Sequence, residues 1–230
     1  DIPAIAKAAK AAGAVVTIDN TWATPLYFRP LDHGVDISIH AATKYPTGHS
    51  DILIGTVSAN EALWPKLNEA FTTLGLSVGP DDAYATLRGL RTMGIRLERH
   101  QASALDIAGW LDGHEGVARV LHPALPSFPG HEIWKRDFKG ASGIFSIVLD
   151  VPDAQAWTRK AHAFLDALGI FGLGYSWGGY ESLAVHAFLG DRVVATAPKE
   201  GPVLRLQIGL EDVADLKADI EAGLAAAAKA

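Results

Sequence analysis

The hydrophobic pattern of the first 60 residues predicts one helix followed by three short strands. Residues 3–12 have high helix propensity with a proline near the first turn, and Gly13 ends the run. Nearly all-apolar runs, rich in β-branched residues, then occur at 15–18, 35–39 and 52–57. Strands of this kind are buried on both faces, which is typical of a mostly parallel sheet covered by helices.

The remainder of the chain predicts a long helix and a second α/β layer. Residues 81–112 lack proline and carry apolar side chains at helical spacing, so we expect one long helix or two joined near Gly94. A helix is also predicted near 153–168. Further strands are predicted at 117–121, 144–149 and 203–208. The last helix should bury an apolar stripe formed by Val213, Leu216, Ile220 and Leu224.

These elements predict an α/β fold in two parts. Residues 1–93 form the later part of a larger domain with a mostly parallel sheet and flanking helices, and residues 94–230 form a smaller α/β domain. The boundary then falls inside the long helix. Because the chain opens on Asp1-Ile2-Pro3 and runs straight into a helical pattern without an initiator Met, we expect a truncated chain.

Composition and charge exclude several classes of protein. The chain has 20 Lys and Arg against 26 Asp and Glu, a formal net charge of −6, and its basic residues are scattered, which argues against a nucleic-acid partner. The absence of cysteine excludes disulfide scaffolds and thiolate metal sites, and fits a cytoplasmic protein. No apolar run approaches the roughly 18 residues of a membrane span.

Two residues that could carry chemistry follow the first two predicted strands. Ligands of such sheets bind beyond the carboxyl ends of the strands, where Asp19 and Lys44 lie. A solvated loop residue is the commoner role for either type. However, Lys44 lies among small and hydroxyl residues, in the runs 41–45 and 48–51, that let a ligand approach the backbone. A lysine there can bond covalently to a carbonyl compound.

Several segments carry a resemblance to a known family. Residues 19–22, 42–45 and 48–51 closely resemble the pyridoxal-phosphate (PLP) segment of the Cys/Met-metabolism (transsulfuration) enzymes. Residues 88–92 resemble the helix at the family's domain junction, and residues 204–212 resemble its carboxylate-binding strand and final helix. The similarity covers essentially the whole chain. It implies a fold type I PLP enzyme.

The resemblance assigns roles around the cofactor. Lys44 would hold PLP covalently and, once displaced by substrate, remove the substrate α-proton. Asp19 would face the pyridine nitrogen and keep it protonated. Thr43 would give a hydroxyl to the phosphate.

Arg205 lies between Leu204 and Leu206 in a predicted strand. From the residues alone, an internal salt bridge is as plausible as a ligand contact, because a buried arginine without a partner is costly. The resemblance implies instead that Arg205 binds the substrate α-carboxylate through both arms of its guanidinium group, which lysine could not do.

The segment from Tyr175 to Ser182 distinguishes members of the family. Tyr175, Ser176 and Trp177 resemble the β-acting lyases, whereas γ-acting members usually have Leu in place of Trp177, so we expect these three residues in catalytic and substrate-binding roles. The resemblance implies α,β-elimination of L-cystathionine to homocysteine, pyruvate and ammonia, a step of methionine biosynthesis. The alternatives are a γ-acting enzyme, or a catalytically incomplete fragment that acts only in assembly.

Two patterns point to other chemistry and are weaker. Residues 174–178 match the Gly-x-Ser-x-Gly turn of α/β-hydrolases, but Gly178-Gly179 is a poor start for the helix that must follow. His131-Glu132 begins a zinc-binding pattern in which Lys135 stands where the second histidine should be. We therefore expect no metal.

The resemblance also implies what the chain lacks. It corresponds to the later part of the large domain plus the whole small domain. The family's phosphate-cradling loop, its ring-stacking Tyr, and the Tyr and Arg that reach a neighbouring subunit precede this part. We therefore expect an N-terminal segment of the same protein as a partner, a homo-oligomer (a tetramer formed as a dimer of dimers), and no activity from this chain alone.

Overall fold

The computed structural model describes residues 1–230, and the chain divides into two compact units. The first unit contains residues 1–96 together with 132–141, and the second contains residues 97–131 together with 142–230. Each unit combines helices with a sheet, so the predicted mixed α/β class is confirmed. The domain division at residue 93 stays a prediction.

The first unit has a three-stranded sheet in the order β1-β2-β3, in which β1 and β2 are parallel and β3 is antiparallel to β2. Its helices and strands begin and end as follows: α1 Ile2–Ala11, β1 Thr17–Asp19, α2 Thr24–Tyr27, β2 Ile37–His40, β3 Thr56–Ala59, α3 Trp64–Thr73, the first part of α4 Pro80–Leu111, and nearly all of α5 His131–Asp137.

The third strand differs from its prediction. A strand was expected over 52–57, but β3 begins at Thr56 and runs antiparallel. The backbone amide and carbonyl of Ile54 are both hydrogen-bonded to Thr43, so this residue cannot join a strand ladder. The apolar run 52–54 therefore fixes the loop that follows β2 instead of extending the sheet.

Asp36 anchors the start of β2. Its carboxylate accepts hydrogen bonds from the Val16 amide (2.9 Å) and the Asn60 side chain (2.8 Å), and it pairs with Lys10 at 3.2 Å. The hydrogen bond from Val16, helped by Lys10 and Asn60, outweighs the effect of desolvation and lowers the pKa of Asp36. One carboxylate thus joins α1, the start of β1 and the end of β3 around β2.

Stacked aromatic rings hold residues 132–141 in the first unit. Phe28 and Phe138 lie nearly parallel with ring centroids 4.5 Å apart. The Lys139 amide also donates to the Tyr27 carbonyl at 2.8 Å. Phe28 is buried, and such ring pairs add to the stabilisation from apolar burial.

The second unit has a five-stranded sheet in the order β4-β5-β8-β7-β6, antiparallel except for the parallel β6–β7 pair. Its helices and strands, besides the remainder of α4, are β4 Val117–Leu121, β5 Ile144–Leu149, α6 Trp157–Asp166, β6 Gly172–Leu173, β7 Leu183–Ala187, β8 Val203–Gln207 and α7 Val213–Lys229.

Helices α6 and α7 cover this sheet and form the main core with it. Asp212 caps α7 by accepting a hydrogen bond from the Ala214 amide at 2.8 Å. Three residues of the predicted stripe, Leu216, Ile220 and Leu224, are buried against the core. A single continuous α4 replaces the two helices that Gly94 left possible. None of the helices is long and apolar enough to cross a membrane.

Candidate active site

Asp19 and Lys44 lie at or just beyond the ends of two adjacent parallel strands of the first unit. Asp19 is the last residue of β1 and pairs in register with Ile39 of β2. Lys44 lies in the lysine loop, residues 41–48, which begins directly after β2. Because the two strands are parallel, both residues are at the same edge of the sheet, as the sequence predicted.

Thr21 joins these two strand ends. Its amide and hydroxyl donate to Oδ1 of Asp19 at 2.9 and 2.5 Å, and its hydroxyl oxygen accepts from the Ala41 amide at 2.8 Å. One carboxylate oxygen of Asp19 is therefore fixed, while none of these bonds uses Oδ2. Thr21 was missed as a functional residue. The available signal was the Asp-x-Thr spacing, which is typical of a turn closed by an Asp side chain.

Beside Asp19 lies His40, the last residue of β2. It is buried, and its Nε2 atom has no hydrogen-bond partner. Burial lowers the pKa of His40, and the negative charge of Asp19 acts in the opposite direction. The carboxylate therefore lies next to an imidazole whose charged form is disfavoured by burial.

Thr43 holds the lysine loop through hydrogen bonds to the backbone of Ile54. Its amide donates to the Ile54 carbonyl at 3.0 Å, and its hydroxyl donates to the same oxygen (3.2 Å) and accepts from the Ile54 amide (2.9 Å). The hydroxyl hydrogen is thus engaged within the loop. The expected contact between Thr43 and a phosphate stays a prediction.

Internal hydrogen bonds close the lysine loop around Lys44. The Lys44 amide donates to the Ala41 carbonyl (3.0 Å), and the Lys44 carbonyl accepts from the Gly48 amide (2.8 Å). The Thr47 hydroxyl donates to the Thr43 carbonyl at 2.8 Å. Both peptide groups of the lysine are consequently held in one turn.

Arg205 lies on β8, between β5 and β7, in the second unit. Its Nη2 donates to the carbonyl oxygens of Tyr175 (2.6 Å) and Gly174 (3.5 Å). Burial lowers the pKa of Arg205, opposed by the nearby Tyr175. The internal salt bridge, which was one of the two roles expected for Arg205, is not present. The guanidinium group therefore pairs with no carboxylate of this chain.

Tyr175, Ser176 and Trp177 lie in the loop between β6 and β7. Tyr175 and Ser176 are exposed and Trp177 is half-buried. No helix follows Ser176, so the strand–turn–helix arrangement of a hydrolase nucleophile is absent. The hydrogen bonds from Arg205 place the start of this loop beside β8.

The other end of the same loop is tied to the residues after β8. The Leu210 amide donates to the Tyr180 carbonyl and the Gly209 amide donates to the Ser182 hydroxyl, both at 2.8 Å. Ser182 in turn binds Glu211. The sequence analysis assigned no individual role to Ser182 or to Glu211.

A lysine and a carboxylate at adjacent ends of parallel strands are groups that can serve a cofactor with a carbonyl group and a basic ring nitrogen. The chain belongs to the Cys/Met metabolism PLP-dependent enzyme family, whose model matches residues 1–225. Pyridoxal phosphate is the cofactor of this family. The donor set fits it, because the Oδ2 atom of Asp19 is available to a ring nitrogen and Lys44 supplies an amine.

Individual relatives resemble the chain along nearly its whole length. A Rhizobium johnstonii protein named "Putative cystathionine beta-lyase" is 73% identical over 99% of this chain. The cystathionine β-lyase of Escherichia coli is 48% identical over 98%. A crystal structure of cystathionine γ-synthase from Xanthomonas oryzae in complex with cystathionine superposes with a TM-score of 0.87 at 40% identity and covers all of this chain.

The chain is shorter than each of these proteins. It spans 57% and 58% of the length of the two curated relatives and 60% of the solved chain. The match therefore corresponds to one part of each of these longer proteins.

Proposed function

We propose that this chain is part of a PLP-dependent carbon–sulfur lyase that cleaves L-cystathionine by α,β-elimination. Cystathionine and water would give homocysteine, pyruvate and ammonia, a step of methionine biosynthesis. The observation that carries the proposal is the placement of Lys44 and Asp19 at adjacent strand ends joined by Thr21. The names of the two curated relatives support the choice of reaction.

Lys44 and Asp19 have complementary roles in this proposal. Bound PLP supplies an electron-withdrawing ring that stabilises negative charge at the substrate Cα. Lys44 holds the cofactor covalently at Nζ, and once substrate has displaced it, the free Nζ removes the Cα proton. Asp19 keeps a proton on the ring nitrogen, because an adjacent carboxylate favours the positively charged form. Thr43 contributes its hydroxyl on the phosphate side.

Arg205 binds the substrate α-carboxylate in this proposal. Its guanidinium group is planar, it has no carboxylate partner within the chain, and its bond to the Tyr175 carbonyl fixes its orientation. Such an arrangement suits a carboxylate that binds both arms of the fork. Tyr175, Ser176 and Trp177 contribute the neighbouring substrate contacts.

A γ-acting enzyme of the same family is the second candidate. It is supported by the 40% identity to cystathionine γ-synthase, with a TM-score of 0.87 over the whole of this chain. Trp177 favours β-elimination, because the resemblance gives Leu at this position in γ-acting members. A third candidate is a catalytically incomplete fragment that acts only in assembly.

The proposal includes a cytoplasmic homo-oligomer, a dimer of dimers, completed by a further N-terminal segment. Exposed apolar side chains on the first unit support a covering partner, since large exposed apolar patches mark interaction surfaces. Those more than half exposed include Leu53, Trp64, Leu74, Leu76, Tyr84 and Ile95.

The experiment uses the full-length protein with L-cystathionine and measures pyruvate and 2-oxobutyrate separately. We expect pyruvate, and borohydride reduction followed by peptide mapping should place the cofactor on Lys44. Lys44→Ala should abolish the covalent link and nearly all turnover. Lys66→Ala, which changes an exposed lysine of α3, is the matched control and should leave both unchanged.

The alternatives give different results in the same assays. Release of 2-oxobutyrate and cysteine identifies a γ-lyase, and a cofactor trapped on another lysine refutes the role of Lys44. A full-length protein that assembles but neither traps cofactor nor forms either oxoacid supports the assembly module. Residues 1–230 expressed alone should form no pyruvate.

A further inference from the structure

Arg96 is a buried arginine on α4 that contacts no carboxylate. It is 9% exposed and takes part in none of the salt bridges of the chain. Burial lowers the pKa of its guanidinium group. Burying an unpaired cation is costly, so other contacts must compensate for this cost. Those contacts indicate the role of Arg96.

Backbone carbonyl groups surround the guanidinium group of Arg96. Nη2 donates to Tyr45 (2.9 Å) and Pro46 (3.3 Å) in the lysine loop, and to Gly89 (2.8 Å) on its own helix. Nε donates to the Thr92 hydroxyl at 3.1 Å. Nη1 is buried without a hydrogen-bond partner. The side chain therefore links α4 to the two peptide groups that follow Lys44.

The lysine loop and α4 are so close that only glycine fits between them. Gly48 has a φ of +69°, and a Cβ atom there would overlap the Nη1 and Cζ atoms of Arg96. On the other side, a Cβ atom on Gly89 would overlap the carbonyl oxygens of Pro46 and Thr47. The guanidinium group thus packs directly on the backbone of the loop.

The contacts of Arg96 reach Lys44 through one short turn. The Gly48 amide, packed beneath the guanidinium group, donates to the Lys44 carbonyl, while Nη2 holds the next two carbonyl groups. Since the Lys44 amide is fixed by Ala41, the backbone on both sides of the lysine is held. The orientation of the lysine side chain depends on this backbone.

We propose that Arg96 is a positioning residue that fixes the lysine loop and thereby the direction of the Lys44 amine. This inference rests on the proposed role of Lys44 as the lysine that binds the cofactor. A buried apolar residue at position 96 would have a smaller desolvation cost, but it would remove the donor that Arg96 supplies to the Tyr45 and Pro46 carbonyls. Small misplacements of a catalytic group lower the rate strongly, even when the change is remote from substrate.

The test compares Arg96→Met and Arg96→Lys with Met93→Ala in the full-length protein. Met93 is buried one turn earlier on α4 and donates no side-chain hydrogen bond, so its truncation loosens the helix without removing donors from the loop. The measurements are visible circular dichroism of the bound cofactor, the rate of borohydride trapping on Lys44, kcat and KM for cystathionine, and the melting temperature.

We expect Arg96→Met to lower kcat by about tenfold or more, with KM within about threefold of the parent, because a misplaced lysine affects the chemical step. The cofactor dichroism and trapping rate should change with it. Arg96→Lys should recover part of each, since an ammonium group can reach some of the carbonyl oxygens. Met93→Ala should lower the melting temperature while leaving dichroism and trapping as in the parent.

Either of two results overturns the inference. One is a folded Arg96→Lys or Arg96→Met protein with parental dichroism, trapping rate and kcat. The other is a Met93→Ala protein with the same changes as the Arg96 variants at an equal loss of melting temperature, which would show a merely structural role. If Arg96→Met does not fold, the dichroism, trapping rate and kcat of Arg96→Lys decide whether the inference stands. Trapping of the parent on a lysine other than Lys44 refutes the proposed function instead.

Discussion

The carboxylate of Glu211 accepts two hydrogen bonds from Ser182, one from its amide at 2.7 Å and one from its hydroxyl at 2.8 Å. The same hydroxyl accepts from the Gly209 amide, so the loop that begins at Tyr175 ends in a bond to the residues just after β8. Arg205 binds the start of this loop from the middle of β8. One strand and its continuation therefore hold both ends of the loop expected to contact substrate.

Glu211→Gln should loosen that loop. The Ser182 amide and hydroxyl donate to different oxygens of the carboxylate, and glutamine replaces one of these oxygens with an NH2 group that cannot accept. Hydrogen bonds to a charged acceptor contribute about 1.5–3 kcal/mol. We expect KM for cystathionine to rise by roughly tenfold, with a smaller effect on kcat. Glu181→Gln is the control, because Glu181 precedes Ser182 but takes part in none of the ion pairs. Equal KM values for the two variants would contradict the role of Glu211.

Arg205→Lys should weaken substrate binding more than it slows the chemical step. Lysine keeps the positive charge but lacks the planar fork. We expect the loss of the bidentate pairing to cost about 2–4 kcal/mol, or roughly 30-fold to 1,000-fold in KM, which is the scale of a truncated buried charge pair. Arg159→Lys, which changes an exposed arginine on α6 without an ion pair, should have no effect. Steady-state kinetics of the full-length protein distinguish the two variants. An unchanged KM in Arg205→Lys would show that Arg205 does not bind the substrate α-carboxylate.

The sequence predicted the candidate residues whose position follows from a strand end or from a local resemblance. Asp19 and Lys44 are of this kind, because a short apolar run places the residues after it at the edge of a parallel sheet. The strands β4, β5 and β8 were also predicted within a residue or so, since each is a short apolar or alternating run and all three pack on the same core.

The residues that hold the site were not predicted, because their partners are distant along the chain. Arg96 bonds to Tyr45 across 51 residues, Thr21 to Ala41 across 20, and Glu211 to Ser182 across 29. Only packing brings such pairs together. Helix α3 was also missed, although Trp64, Leu67 and Phe71 follow helical spacing; none of its residues is buried.

Asp36→Asn should reduce stability at neutral pH and have little effect in acid. The hydrogen bond from Val16 lowers the pKa of Asp36, so the ionised form stabilises the fold above the unfolded pKa of about 4. This contribution is lost as pH falls through the lower, folded pKa. Asparagine cannot pair with Lys10 or accept as many bonds, and we expect a loss of about 1–3 kcal/mol at pH 7.

Urea unfolding of the full-length protein at pH 7 and in acid measures this difference. The control is Asp32→Asn, which removes an exposed ion pair with Arg29 and should cost less than about 0.5 kcal/mol at either pH. A loss for Asp36→Asn that is the same at both pH values would contradict the assignment.

Gly48→Ala and Gly13→Ala form a matched pair that separates backbone strain from contact with Arg96. Both glycines have a left-handed backbone, with φ of +69° and +74°, so alanine costs about 1–2 kcal/mol at either position. A Cβ atom at Gly13 meets nothing within 4 Å, whereas one at Gly48 overlaps the guanidinium group. Gly48→Ala must therefore also displace Arg96 from the Tyr45 carbonyl.

We expect Gly48→Ala to destabilise the protein by at least about 1 kcal/mol more than Gly13→Ala, because displacing Arg96 leaves buried carbonyl groups without a donor. Borohydride trapping on Lys44 should also slow in Gly48→Ala and stay at the parental rate in Gly13→Ala.

Combining Gly48→Ala with Arg96→Met then discriminates between overlap with Arg96 and backbone strain at Gly48. If the overlap with Arg96 is the cause, the second substitution removes the obstacle, and the double variant should lose less stability than the sum of the two single variants. Additive losses would mean that Gly48 acts through its backbone conformation alone.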